Sequence, residues 1–306
     1  MPTFRWSENR SGIFLRNRPL PTIAGRDRGA SPKLEVISKL PSLARAAPPL
    51  LFVHGAWHGA WCWDEFFLDY FAANGFAAHA VSLRGHGGSD GRQKLRFSRI
   101  RDYVADVAKV AAALGTAPIL IGHSMGGFVV QKYLQDRVAP AAILLASVPP
   151  TGSWRTLART ARAFPIEVLK GSMTLSLWPV ISAADRARRL LFSPSIPDDQ
   201  AARHHRRLQD ESWLAYMDSV VLDLVDARRI ATPMIVMGAS NDALVHPGDV
   251  HAAARAYGVN AKIFDGMAHD MMLERGWRNV ADEIIAQLDR IGRERPAIKP
   301  RKQKAA

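Results

Sequence analysis

Short runs made wholly of apolar residues recur along this chain, and segments of helical period follow them. Leu50–Val53, Pro118–Ile121, Ala142–Ala146 and Pro233–Met237 are such runs. A strand that is apolar at every position has both faces buried, because a strand with one wet face alternates. Strands of that kind, alternating with helices, make a parallel sheet covered on both sides. Lys33–Leu40, Ala77–Leu83 and Ala261–Phe264 add further strands. Over Ile100–Leu114, residues Ile100, Tyr103, Val107, Ala111 and Leu114 fall at three-to-four spacing and predict a helix. Phe128–Gln135, Val250–Tyr257 and Val280–Ile291 predict three more.

The rhythm fails between residues 150 and 230. Trp154, Phe164, Trp178, Phe192 and Trp213 lie there among Arg-rich, mostly helical segments, with no good strand. The stretch reads as a helical cap or lid inserted into one α/β domain, whose core is then 33–149 and 231–290. Residues 1–32 read as a basic arm, rich in Arg, Pro and Gly without an apolar period, and 291–306 as a basic tail.

A net charge of +13 suggests nucleic acid until it is located. Residues 1–28 carry +4 and residues 290–306 carry +6, so the 261 residues between hold only +3. The body is therefore no specific nucleic-acid binder. The ends read as solvated, with weak contact to an anionic lipid surface as the sharper alternative. An apolar fraction of 48% excludes a disordered chain. A single cysteine, Cys62, excludes an internal disulfide and a thiolate metal cage, and a reducing compartment is the simplest setting. No run reaches the roughly 18 apolar residues of a membrane span. Arg5, Arg10, Arg16 and Arg18 interrupt any signal-peptide core. A cytoplasmic location follows as the expectation, peripheral to a membrane if the basic ends engage lipid.

Gly122-His123-Ser124-Met125-Gly126 fits G-x-S-x-G, between an apolar strand and a helix. That context gives the pattern meaning: the sharp bend presents Ser124 Oγ at the carboxyl edge of the sheet. Gly122 and Gly126 remove side chains that would collide across the bend, and Gly127 lets the helix sit close to the sheet. The bland alternative is a serine in an ordinary glycine-rich turn.

Ser124 needs a base, and ten histidines compete. His269 stands in a loop just after Ala261–Phe264, on the same edge as Ser124. His123 should point away from the bend, His204 and His205 read as a polar helical face, and His54, His58 and His86 as organisers of their loops. None has a specific metal spacing. Asp242, just past the strand Pro233–Met237, is the carboxylate placed to orient His269. Asp265 and Asp270 lie too close to His269 in sequence, and Asp249 looks like a residue at a helix start. The order Ser124, Asp242, His269 is the one described for α/β-hydrolases. Two backbone N–H groups are candidates for an oxyanion hole: Met125, opening the helix, and Ala56, in the turn that Gly55 permits. Each such donor is typically worth roughly 3–4 kcal/mol in the transition state. Trp57, His54, Phe164 and Trp178 are the candidate substrate contacts, while Trp61 and Trp63 read equally well as packing.

Ser124, Asp242 and His269, with Arg84-Gly85-His86-Gly87-Gly88-Ser89, resemble the α/β-hydrolase superfamily over about residues 33–290. His54-Gly55-Ala56-Trp57-His58-Gly59-Ala60-Trp61-Cys62-Trp63 further resembles the branch of plant methyl-ester esterases and hydroxynitrile lyases. The resemblance implies an eight-stranded, mostly parallel sheet with a helical lid over 150–230. Two departures favour the esterase side: Gly55 where the lyases have Thr, and Asp270 where they have Lys. Trp57 also replaces the acidic residue of the lipase-like pattern after His-Gly-x-Gly.

The leading expectation is a serine hydrolase that cleaves a carboxylic ester or thioester through an acyl-enzyme, with no cofactor and no metal. Leu157, Ile166, Val168, Leu169, Met173, Leu175 and Leu177, with Phe164 and Trp178, suggest an apolar group on the small-molecule substrate. The same triad would serve C–C hydrolysis or a haloperoxidase-like perhydrolase, and a non-catalytic ligand-binding protein is the alternative of another class.

Overall fold

The structure is a computed structural model that describes Ile13–Leu15 and residues 32–294. The rest of the basic arm and of the basic tail lies outside the described residues. Eight strands form one sheet: β1 (Ile13–Leu15), β2 (Leu34–Lys39), β3 (Leu50–Val53), β4 (Ala78–Val81), β5 (Ile119–His123), β6 (Ala142–Leu145), β7 (Met234–Ala239) and β8 (Ala261–Phe264). Their spatial order is β1-β2-β4-β3-β5-β6-β7-β8. The β2–β4 pairing, with Val36 opposite Val81, is the one antiparallel pairing among the described strands, and β1 runs parallel to β2. β1 falls inside the stretch read as an arm and pairs Ile13–Leu15 with Leu34–Val36.

β3, β4, β5 and β6 are buried at every position; β3 and β6 are apolar throughout, while His79 of β4 and His123 of β5 are buried among apolar neighbours. The edge strand β8 is half exposed. Two helices follow β3, α1 (Trp61–Asp64) and α2 (Phe67–Ala73). Trp63, Phe67 and Phe71 surround Phe52 of β3 with ring centroids 5.0 to 6.3 Å away, so the aromatic run after β3 is packing. Next come α3 (Ile100–Ala113), after β4, and α4 (Met125–Leu134), after β5. α3 packs on α4, and α4 on β5.

Between β6 and β7 the chain forms six helices: α5 (Trp154–Ala163), α6 (Pro165–Thr174), α7 (Trp178–Ile181), α8 (Ala184–Leu191), α9 (Asp198–His205) and α10 (Trp213–Met217). A single bridge, Ser176 to Ser212, is the only strand-like pairing described within them. α11 (Pro247–Ala256) then covers β7 and β8, and α12 (Trp277–Glu294) packs on α2. No helix among the described residues is long and apolar enough to cross a membrane.

Candidate active site

Parallel strands put their carboxyl ends on one edge, and Val53 of β3 lies in register with Gly122 of β5. The loops that leave this edge carry His54–Trp57 after β3, Ser124 after β5, Asp242 after β7 and His269 after β8.

Ser124 joins β5 to α4 with φ 52° and ψ −121°. A residue with a Cβ held there stores on the order of 1–3 kcal/mol, which persists only where the surroundings impose it. They do so here. A Cβ on Gly122 would sit 2.6 Å from Gly127 Cα, and one on Gly126 would collide with the carbonyl oxygens of Val53 and His54. The start of α4 is thus driven against the end of β3, closer than any side chain would allow. A Cβ on Gly55 would lie 2.9 Å from that of Ser124, so the loop after β3 runs directly beside the serine.

His269 Nε2 lies 2.9 Å from Ser124 Oγ, and its Nδ1 lies 2.8 Å from Asp242 Oδ2. The carboxylate keeps the proton on Nδ1, which leaves Nε2 bare to accept from the serine hydroxyl. Asp242 is oriented in turn by the N–H groups of Leu244 and Val245, both 2.8 Å from Oδ1. All three side chains are buried. Burial acts to lower the His269 pKa, but the charge and hydrogen bond of Asp242, with the charge of Asp270, outweigh it and raise the net value.

The rival groups have other partners. Asp265 accepts from Ser240 at 3.0 Å, Asp249 sits in the first turn of α11 and pairs with Arg159 at 2.8 Å, and Asp270 meets His58 at 3.1 Å. His123 donates from Nε2 to the His269 carbonyl at 2.9 Å and so supports the base from behind. His204 corrects the reading of a polar helical face: its ring is fully buried between Trp61 and Phe192.

The four candidate substrate contacts separate. His54 is a correction, since its ring is fully buried and both nitrogens are engaged: Nδ1 donates to the Gly55 carbonyl at 2.8 Å and Nε2 accepts from Leu83 N–H at 3.0 Å. Burial chiefly holds its pKa well below the ordinary value, so the ring is neutral. Trp57, with φ 67°, stays beside the site, and its carbonyl accepts from Gln209 N–H at 2.9 Å. Phe164 lines a cavity of 190 Å³ with Ala243 and His246 that abuts the Asp242 loop and does not include Ser124. Trp178 stacks on His205 within the helical insertion.

Gln209 escaped the sequence reading. Its side chain donates to the Gly85 carbonyl at 2.8 Å and accepts from Gly87 N–H at 3.0 Å, while its backbone holds Trp57. One residue of the insertion therefore ties two edge loops together, and a lone Gln in a polar stretch carries no signal of that.

Among the described residues, one set of side chains approaches closely enough to share an ion: His123, His269 and Asp270, with donor atoms within 4.8 Å. Both His269 nitrogens are already engaged by Asp242 and Ser124, so a metal bound there would dismantle the triad.

The chain matches the alpha/beta hydrolase family model over residues 50–283. It is 35% identical over 107 residues to a probable esterase of Oryza sativa subsp. indica, covering 33% of this chain and 40% of that one. It is 30% identical over 104 residues to methyl jasmonate esterase 1 of Vitis vinifera, covering 32% and 39%. The chain thus spans about two fifths of the length of these curated relatives. In three dimensions it resembles an esterase from Exiguobacterium antarcticum with a TM-score of 0.66 at 16% identity, over 84% of this chain and 96% of that one, a likeness of fold. With the sheet order, the bend at Ser124 and a family match that runs through all three site residues, the chain belongs to the alpha/beta hydrolase family.

Proposed function

We propose that this protein is a serine hydrolase of carboxylic esters. The observation that carries the reading is the continuous hydrogen-bonded chain Ser124–His269–Asp242, set on a strained bend that holds Oγ in place. His269 Nε2 takes the Oγ proton as Oγ attacks the ester carbonyl, and Asp242 stabilises the imidazolium that forms. The N–H groups of Ala56 and Met125 receive the oxyanion; Gly55 runs beside Ser124, and Met125 opens α4. The imidazolium returns its proton to the leaving alcohol, and water activated by the same histidine releases the acid.

The helical insertion acts as the lid. Ile166, Leu169 and Met173 stand 61, 61 and 77% exposed on α6 at helical spacing, which supports an apolar acyl or alcohol group; Leu177 instead turns into the core. The esterase names of the plant relatives agree with the reaction class. The buried, unpaired Cys62 supports action in a reducing, cytoplasmic compartment.

The test is turnover of a p-nitrophenyl ester series from acetyl to palmitoyl, with Ser124→Ala alongside. Hydrolysis lost in the variant, with fluorophosphonate labelling at Ser124, is the expected result. Equal inertness of both proteins, with no labelling, would end the esterase reading.

A further inference from the structure

A second histidine–carboxylate pair lies beside the triad, and the reaction as written leaves it without a task. His58 and Asp270 are separated by 212 residues, meet at 3.1 Å and are 1 and 0% exposed. Asp270 follows the base His269, and His58 stands two places after the oxyanion candidate Ala56.

Both His58 nitrogens face oxygen. Nδ1 is 2.7 Å from the Ala56 carbonyl, which can only accept, so Nδ1 carries a proton. Nε2 lies 3.1 Å from Asp270 Oδ2, and of the histidines beside that carboxylate it is His58 that hydrogen-bonds it. His123 Nε2 donates to the His269 carbonyl and is 3.9 Å from Asp270 Oδ1, and burial above all takes its pKa down to about 3. Burial would raise the Asp270 pKa, but His58, through charge and hydrogen bond, with His123 and His269, brings it below the ordinary value. Of the groups packed around the pair, burial and Asp270 push the Cys62 thiol well up, burial raises Glu274, and Arg207 covers Trp61, which stacks on His58.

The consequence lies in the backbone. In a trans peptide the N–H points opposite to the carbonyl, and no peptide described here is cis. His54 holds the Gly55 carbonyl, which aims the Ala56 N–H of the same peptide. His58 holds the Ala56 carbonyl, which fixes the next peptide. Ala56 is therefore clamped from both sides, by one histidine resting on the Leu83 N–H and another resting on Asp270. We propose that His58, held between the Ala56 carbonyl and Asp270, is a positioning residue that locks the Ala56 peptide against Ser124 and ties the oxyanion loop to the loop of the catalytic base. The proposal rests on the ester-hydrolase reading.

Two replacements divide its two bonds. His58→Gln keeps a donor near Nε2 and loses the Ala56 clamp, whereas His58→Asn keeps a donor near Nδ1 and loses Asp270. With His58→Gln, kcat should fall on the order of 10-fold to 100-fold while KM stays within about twofold. His58→Asn should recover much of that loss. In ¹⁵N-histidine spectra of the wild type, His58 Nδ1 should carry the proton that it donates to the Ala56 carbonyl. Wild-type kcat in a folded His58→Gln variant, a change confined to KM, or a His58 Nδ1 without a proton would overturn the proposal. The ring spectrum decides the matter even if His58→Gln does not fold. A wild type that hydrolyses no ester yet shows the protonated Nδ1 would sink the hydrolase reading and leave the clamp standing.

Discussion

The sheet and the helical insertion above it are held by different balances of forces. The sheet is a matter of contact: β3 to β6 are buried throughout, and Gly122, Gly126 and Gly127 let α4 approach to distances no Cβ would permit. The insertion adds buried apolar residues such as Ile181, Leu191 and Phe192 to that same core, and charged pairs are added at the junction. Asp218 binds Arg99, Asp223 binds Lys132, Arg159 binds Asp249, and Arg203 and Arg207 share Glu65. Glu211 lies against His86, and Tyr103 donates to it at 2.6 Å. The groups proposed to react thus sit where strands and glycines pack most closely. The part above them adds to its apolar packing a set of bonds whose strength depends on solvent, salt and protonation.

The largest effect that sharpens this contrast comes from Ser124. Ser124→Ala should lower kcat on the order of 10⁴-fold or more, as loss of a nucleophile does elsewhere, with no fall in thermal stability. Ser124→Gly should be equally inactive but more stable, because glycine accepts φ 52° freely and releases roughly 1–3 kcal/mol of stored strain. Calorimetry of the two variants reads the difference directly. A glycine variant no more stable than the alanine one would mean that the bend stores nothing.

Asp218 is the corresponding probe of the insertion. It is buried and accepts from Arg99 Nε and from the Ile100 N–H at 3.0 Å, where α3 begins. Asp218→Ala strands a guanidinium and a backbone donor, at a cost of about 3 kcal/mol, reduced somewhat because the Arg99 side chain is a third exposed. Melting should fall by several degrees, and limited proteolysis should reach the insertion before the sheet. Simultaneous loss of both would make the two regions one cooperative unit.

The same division explains what could be read from residues alone. Leu50–Val53 coincides with its expected bounds because an apolar run declares a buried strand. Ala261–Phe264 coincides too, although it is a half-exposed edge strand that carries Lys262. Ser124, Asp242 and His269 could be singled out by type, order and position after strands, and the fold brings the three into hydrogen-bonding contact. Helix α4 begins at Met125 and not Phe128, since Gly126 and Gly127 are chosen for close approach and lack an apolar period. Helix α11 begins at Pro247 and not Val250, with proline in its first turn, where no donor is needed. Long-range polar pairs were invisible: nothing near His58 names Asp270, and nothing near Gln209 names Gly85. The stacking of Trp178 on His205 within the insertion is another such long-range pairing.

The pair His269–Asp242 lets stability and activity be set against each other by pH alone. Its folded pKa is raised above 6.5, so the stability it contributes is complete below that value and is lost as pH rises through the raised one. Catalysis needs the neutral base, so kcat/KM should climb over that same interval. Stability at this site and turnover should therefore cross, with the acid limb of the rate profile above pH 6.5. A limb below that value would mean that burial, and not Asp242, governs the base.

The smallest expected effect is the most specific check on how the insertion is fastened. Glu65, at the end of α1, receives Arg203 at 2.9 Å and Arg207 at 3.0 Å, and these arginines are 51 and 40% exposed. Pairs as wet as these contribute about 0.2–1 kcal/mol each and weaken with salt, whereas the buried Asp218 contact is screened much less. Glu65→Ala should therefore lower stability by no more than about 1–2 kcal/mol, and the deficit should shrink as salt is raised. The Asp218→Ala deficit should hardly respond. Arg207 also lies 4.3 Å over the Trp61 ring, a contact that survives loss of the carboxylate and limits the damage. Equal salt dependence of the two variants would remove burial as the reason for their difference and reduce the junction to a set of interchangeable surface pairs.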